Sequence, residues 1–305
     1  MTKRNLGVLI IEDRVDINDL ENYIQYPEVQ SALQNEKNWK SRGPIYRNSP
    51  EALNDFMNVV GKESGLAVSI SHKPAYEDGI VELASSKDII ITDIGIPTQF
   101  SDGIVSYHRI DEDKANEARN EVVENFRKLF GKDWYTKGDG CYLKWHLLNE
   151  QDWLGKIQDR LDDFDKLDSP RTEDLYFFNR EIAGLKLAEN LEKQGKLVTM
   201  YTSDLIHQPG IYAGLLKGVI SPQEFTELYQ WHQGLRELYK TAPKEDFENF
   251  DAWQVERKAW EKENLGPVVI NNGRIAIGAR STFKTVQDYV DVLNMAVRYQ
   301  GKSEK

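Results

Sequence analysis

Two short apolar runs that each end in acid constrain this chain more than any other feature. Val8-Leu9-Ile10-Ile11 is followed by Glu12-Asp13, and Ile89-Ile90-Ile91-Thr92 by Asp93 and then Ile94-Gly95-Ile96-Pro97. An unbroken β-branched run suits a strand covered on both faces, as in a parallel sheet. Carboxylates placed directly after such strands lie at the carboxyl edge of the sheet, where open α/β folds keep their sites. Glu12, Asp13 and Asp93 are therefore expected to converge. Three hard oxygen donors in one crevice match magnesium, which takes a few carboxylates and keeps several waters for an incoming phosphoryl group. A single acid after a strand is more simply a loop cap, but two acidic strands with a third matching element argue for a site.

That third element is Leu197-Val198-Thr199-Met200-Tyr201-Thr202-Ser203-Asp204, an apolar strand ending in hydroxyls. A hydroxyl beside a metal-bound carboxylate can donate to a phosphoryl oxygen. In the order of these parts the chain resembles the receiver domain of two-component response regulators: an acidic pair after the first strand, a phosphoacceptor Asp after the third, and Thr or Ser after the fourth. Ile96 and Pro97 stand where that family's loop carries an apolar residue and a proline. Leu66 to Ser71 reads as the second strand and Ala75 to Ser85 as the helix after it, with Ile80, Leu83 and Ala84 on its buried stripe. The resemblance covers Leu6 to Asp19, Gly65 to Pro97 and Ile182 to Pro222. It implies an α/β fold with a flavodoxin-like, doubly wound parallel sheet elaborated by mainly helical insertions. It also implies that Glu12, Asp13 and Asp93 hold Mg2+, that Asp93 accepts a phosphoryl group from a histidine kinase or phosphotransfer protein, and that Thr202 is the switch hydroxyl.

The family's lysine, usually followed by proline at the end of the fifth strand, has no direct counterpart. If Gly214 to Pro222 is that strand, Ser221-Pro222 replaces Lys-Pro. If it is Arg274-Ile275-Ala276-Ile277-Gly278, Ser281 fills the expected place, and Arg280 or Lys284 is the nearby cation; Lys217 is a third candidate. The final helix, over Thr285 to Tyr299, carries Val286, Tyr289, Val290, Leu293 and Val297 at the spacing of one buried face. Without the lysine the carboxylates still bind a metal, but phosphorylation couples less strongly to a conformational change.

Lysine and arginine number 39 against 50 acids, a formal charge of −11. That balance argues against a broad nucleic-acid footprint, which relies on basic patches. The single cysteine, Cys141, excludes an internal disulfide and a multi-cysteine zinc site, as expected in a reducing compartment. Met1-Thr2-Lys3-Arg4-Asn5 has no apolar stretch of a signal peptide, and no run approaches the length of a membrane span. The expectation is a soluble, cytoplasmic protein with no membrane partner. His72, His108, His146, His207 and His232 show no HExxH spacing, and neither a Gly-rich phosphate loop with a following Lys-Ser/Thr nor a Gly-x-Ser-x-Gly elbow occurs.

A receiver needs about 120 residues, one ordinary domain, and this chain has 305. Residues 1–97 and 173–222 are the expected core, with 267–299 as its alternative completion. Residues 98–172 form a helical insertion and 223–305 a helical extension. Trp39, Trp134, Trp145, Trp153, Trp231, Trp253 and Trp260 all lie outside the receiver-like strands. Large aromatics pin added helices or form interfaces, so the additions are expected to be ordered, packed on the core or on a second copy in a homodimer, and to offer a face to a protein partner. Ala115, Ala118, Val122, Phe126 and Leu129 recur at helical spacing, as do Trp153, Ile157, Leu161 and Phe164. Phe225, Leu228, Leu235, Leu238 and Tyr239 form another stripe, and Phe247, Phe250, Trp253 and Trp260 a further one. Asn271-Asn272-Gly273-Arg274 between two apolar runs predicts a hairpin, which competes with a parallel fifth strand at Ile275.

The first functional expectation is a signalling protein that accepts a phosphoryl group on Asp93 with Mg2+ and presents a changed surface to a partner, with no turnover beyond autodephosphorylation. A phosphorylation-independent pseudo-receiver serving as a protein-binding scaffold is the alternative, favoured by the missing lysine. An aspartate-nucleophile phosphohydrolase fits less well, because Gly95 replaces the second acid and Pro97 the Thr of the Asp-x-Asp-x-Thr strand end of that class.

Overall fold

The computed structural model describes residues 5–30, 50–99, 112–131, 172–202, 211–278 and 284–300, apart from residues 14, 28, 97, 212–213, 216–217, 245 and 247. Its elements follow along the chain as β1 (Leu6–Ile11), α1 (Pro50–Glu63), β2 (Val68–Lys73), β3 (Tyr76–Glu77), α2 (Ile80–Ser85), β4 (Ile89–Asp93), β5 (Thr98–Gln99) and α3 (Glu112–Phe130). After these come α4 (Thr172–Lys193), β6 (Thr199–Thr202), α5 (Pro222–Tyr239), α6 (Phe250–Asn264), β7 (Val268–Ile270), β8 (Ile275–Ile277) and α7 (Val286–Gln300).

The β-branched runs behave as their composition demands. Among the described residues one sheet has six strands in the order β2-β1-β4-β6-β8-β7, so β1 and β4 lie side by side in its interior. β2, β1, β4, β6 and β8 run parallel, and β7 joins β8 antiparallel. Val8, Ile10, Ile89 and Ile91 pack on one face with Phe56 and Val60 of α1 and with Tyr289 and Leu293 of α7. Leu9, Ile11, Ile90 and Met200 pack on the other with residues of α2, α3, α4 and α5. The fold is therefore α/β, a mostly parallel sheet with helices on both faces.

Gly214 to Pro222 is not the fifth strand, because its described part is a helical turn and a bend ahead of the Ser221 cap of α5. The fifth parallel strand is β8, and it is at the same time one arm of the Asn-Gly hairpin, so the two readings of Ile275 do not compete. Asn271 and Asn272 carry positive φ in the connection, and Gly273, at φ 117°, lies where a Cβ would come 2.7 Å from Tyr299 Cβ. The predicted helix over Ala75 to Ser85 is shorter. Tyr76 and Glu77 pair in parallel with Thr98 and Gln99 as a separate small ribbon, and left-handed Gly79 starts the helix at Ile80.

The additions are partly in view. α3 buries Ala115, Val122 and Phe126, and Phe126 stacks on Tyr229 of α5 with ring centroids 4.4 Å apart. Trp231 packs against the core cluster, and Trp260 lies 5.6 Å from the Tyr239 ring. Trp39, Trp134, Trp145, Trp153, the stripe from Trp153 to Phe164, Phe247 and Cys141 lie outside the described residues. At the amino edge of the sheet, Arg274 ties α4 to α5, its guanidinium forking onto Glu192 at 2.8 and 2.9 Å and onto Glu224 at 2.7 and 2.9 Å. Among the described residues no helix is long and apolar enough to cross a membrane.

Candidate metal centre

Between β1 and β4 the succession of strands changes direction: β2 lies beyond β1, while β6 and β8 lie beyond β4. Such a switch point opens a crevice at the carboxyl ends of the strands. Ile11 is in register with Thr92, so Glu12 and Asp93 emerge together and Asp13 follows. One carboxylate oxygen from each of Glu12, Asp13 and Asp93 lies within 4.8 Å of the others. Glu12 and Asp13 are buried, whereas the Asp93 side chain keeps 13% of its surface.

Lys284 completes the cluster. Its ammonium lies 2.5 Å from Glu12 Oε2, 3.0 Å from Asp93 Oδ2 and 3.2 Å from the Tyr201 carbonyl oxygen, with the Tyr201 ring centroid 4.6 Å away. The backbone around it is fixed from outside the sheet. Asp16 N–H donates to the Lys284 carbonyl at 2.9 Å, and Val286 N–H donates to Asp19 Oδ2 at 2.8 Å. Thr285 and Asp288 cap α7 reciprocally, Thr285 N–H to Asp288 Oδ2 at 2.9 Å and Asp288 N–H to Thr285 Oγ1 at 3.2 Å. Arg280, Ser281 and Lys217, the other positions weighed for the lysine, lie outside the described residues.

The carboxylates are held as closely. Glu12 Oε2 also accepts a hydrogen bond from the buried Tyr289 hydroxyl of α7, and Glu12 O lies 2.8 Å from His72 Nε2. Burial holds the His72 pKa below its ordinary value, so near neutral pH a neutral ring donates Nε2–H to that carbonyl. Asp93 Oδ1 accepts Ile94 N–H at 2.7 Å. Behind Asp93, helix α4 comes so close that a Cβ on Gly184 would fall 1.7 Å from Asp93 O, and Gly184 N–H donates to Ile94 O at 3.0 Å. Only glycine fits there. Thr202 closes β6, buried, one residue beyond Tyr201, which is the register partner of Asp93.

Three carboxylates and one ammonium give the cluster two negative charges in excess when all are ionised, the charge a divalent cation offsets. The donors are all carboxylate oxygens, the ligand type that magnesium prefers. The residues therefore fit a divalent metal ion, with Glu12, Asp13 and Asp93 as the groups that would hold it. The same crowding acts on the protonation states. Burial pushes the Asp93 pKa up from 3.8 to about 6, with Lys284 pulling it down and Glu12 pushing it up. Burial opposes the charge on Lys284, yet Asp93 and Glu12 together hold its pKa above the ordinary value. Burial, then Glu12 and Asp93, raise Tyr289 well above the usual phenol range.

Comparison of the chain with protein-family models, curated proteins and solved structures finds no match. The residues that sequence reasoning did not place in the site are Tyr289, Tyr201, His72 and Gly184. Tyr289 was visible on the buried stripe of the last helix, where a tyrosine differs from its apolar neighbours in needing a partner for its hydroxyl. Gly184 carries no such signal, since a glycine within a helical stretch reads the same whether or not another backbone presses on it.

Proposed function

We propose that the protein is a magnesium-dependent phosphoacceptor of the receiver type, with Asp93 as the accepting carboxylate. The observation that carries this reading is the Lys284 ammonium 3.0 Å from Asp93 Oδ2 in a pocket that also holds Glu12 and Asp13. It supplies the cation that the fifth strand itself lacks. The strand order β2-β1-β4-β6-β8, with α1 and α7 on one face, supports a flavodoxin-like arrangement, whose succession is 2-1-3-4-5. The scaffold alternative rests on the absence of a lysine, and Lys284 beside Asp93 supports the phosphoacceptor reading over it.

The chemistry follows from the placement. An Asp93 carboxylate oxygen attacks the phosphorus in line; the new O–P bond forms as the bond to the donor breaks, and the donor's leaving group departs with that electron pair. Lys284 neutralises the oxygen that stays on Asp93 and pairs with the arriving phosphoryl oxygens. Thr202, at the end of the neighbouring strand, offers a hydroxyl to the same group. Bound divalent metal would supply charge neutralisation at the phosphoryl oxygens. The physiological donor in this reading is a histidine kinase or phosphotransfer protein, and the helical additions present the surface that a protein partner reads.

Incubation with acetyl phosphate and magnesium is expected to add one phosphoryl group, seen by intact-protein mass spectrometry, released by hydroxylamine and absent in Asp93→Asn. A chain that stays unmodified while an ordinary receiver in the same tube is labelled would overturn the phosphoacceptor reading.

A further inference from the structure

One oxygen of the pocket already carries two donors. Glu12 Oε2 accepts from Lys284 and from the Tyr289 hydroxyl, and an ionised carboxylate oxygen has about two lone-pair sites to offer. A cation that approaches through this oxygen must displace one of them. Lys284 has other acceptors in reach, at Asp93 Oδ2 and Tyr201 O. Tyr289 is differently placed. Its ring is fully buried on the first turn of α7, edge-on to Phe56 with centroids 6.0 Å apart and edge-on to Tyr201 at 5.1 Å. Packed interiors hold such a ring in place, so its hydroxyl cannot follow a carboxylate that turns away.

We propose that Tyr289 is a positioning residue that sets the divalent-cation affinity of the pocket: it holds Glu12 in its lysine-paired position, and a bound cation takes Glu12 from it. The occupied and empty pockets then differ at a residue of α7, the helix that covers one face of the sheet beside α1. Reciprocity follows, because any group that stabilises the cation-free arrangement weakens cation binding by the same factor. The inference rests on the reading of the pocket as a divalent-cation site, and its test separates the two.

Magnesium is titrated calorimetrically into wild-type protein, Tyr289→Phe, and the double variant Asp13→Ala with Asp93→Ala. Tyr289→Phe is expected to bind about tenfold more tightly than wild type, the scale of one hydrogen bond to a charged group. Wild type is also expected to show a near-ultraviolet tyrosine difference spectrum on magnesium addition that Tyr289→Phe lacks. Equal or weaker binding by Tyr289→Phe, with binding abolished in the double variant, overturns the role of Tyr289 and leaves the pocket standing. Equal binding by wild type and the double variant overturns the pocket, and this inference with it. Should Tyr289→Phe not fold, the wild-type spectrum decides: an unchanged spectrum at saturating magnesium overturns the proposal.

Discussion

Replacing Lys284 with methionine is expected to remove about 3–5 kcal/mol of stability at pH 8, the cost of breaking a buried ion pair by deleting one partner. The Lys284 side chain is 2% exposed and its ammonium sits against Glu12 and Asp93 at 2.5 and 3.0 Å, so its loss leaves a cluster of three carboxylates with no cation beside it. Methionine keeps most of the stem volume, so the effect is one of lost charge and lost hydrogen bonds rather than lost packing. Acid relieves the same defect, because without Lys284 to pull it down Asp93 takes a proton more readily. Urea unfolding at pH 8 and pH 5 measures it. A deficit that shrinks at pH 5 and on addition of magnesium is expected; an identical deficit under all conditions would point to lost packing instead.

Asp93→Asn is expected to gain on wild type as pH rises. An acid whose folded pKa lies above its unfolded value contributes stability that is fully present below the unfolded value and is lost as pH rises through the folded one. For Asp93 that window runs from 3.8 to about 6. At about 1.4 kcal/mol per pH unit the span corresponds to about 3 kcal/mol. Asparagine does not titrate, so the stability difference between variant and wild type should move by about that much in favour of the variant between pH 4 and pH 7. The unfolding free energies of both proteins across that range provide the check, and parallel curves would show that Asp93 is not held as an unfavourable charge.

Much of the sheet was legible because burial on both faces leaves a continuous apolar, largely β-branched record, as in Val8 to Ile11 and Ile89 to Ile91. The acids after those strands could be placed at one edge for the same reason: parallel strands put their carboxyl ends on one side, and adjacency brings them within reach. Lys284 was harder to place, because no local pattern ties it to β8. Its position is set by the contacts of residues 284–286 with Asp16 and Asp19, remote in sequence. Ile275 looked contradictory, since an Asn-Gly turn predicts an antiparallel partner and the topology required a parallel one; a strand has two edges, and β8 uses both. Ala75 to Ser85 read as one helix because apolar spacing alone does not reveal a two-residue strand whose partner lies beyond β4.

A crystal structure of the protein soaked with magnesium and a phosphate mimic such as beryllofluoride would locate the cation and the acceptor together. The expected result is a cation held by carboxylates among Glu12, Asp13 and Asp93, with the mimic on an Asp93 oxygen and both Lys284 Nζ and Thr202 Oγ1 within hydrogen-bonding distance of it. Density for the mimic away from Asp93, or a pocket in which Lys284 stays closed on Glu12 and Asp93 with neither cation nor mimic bound, would contradict it.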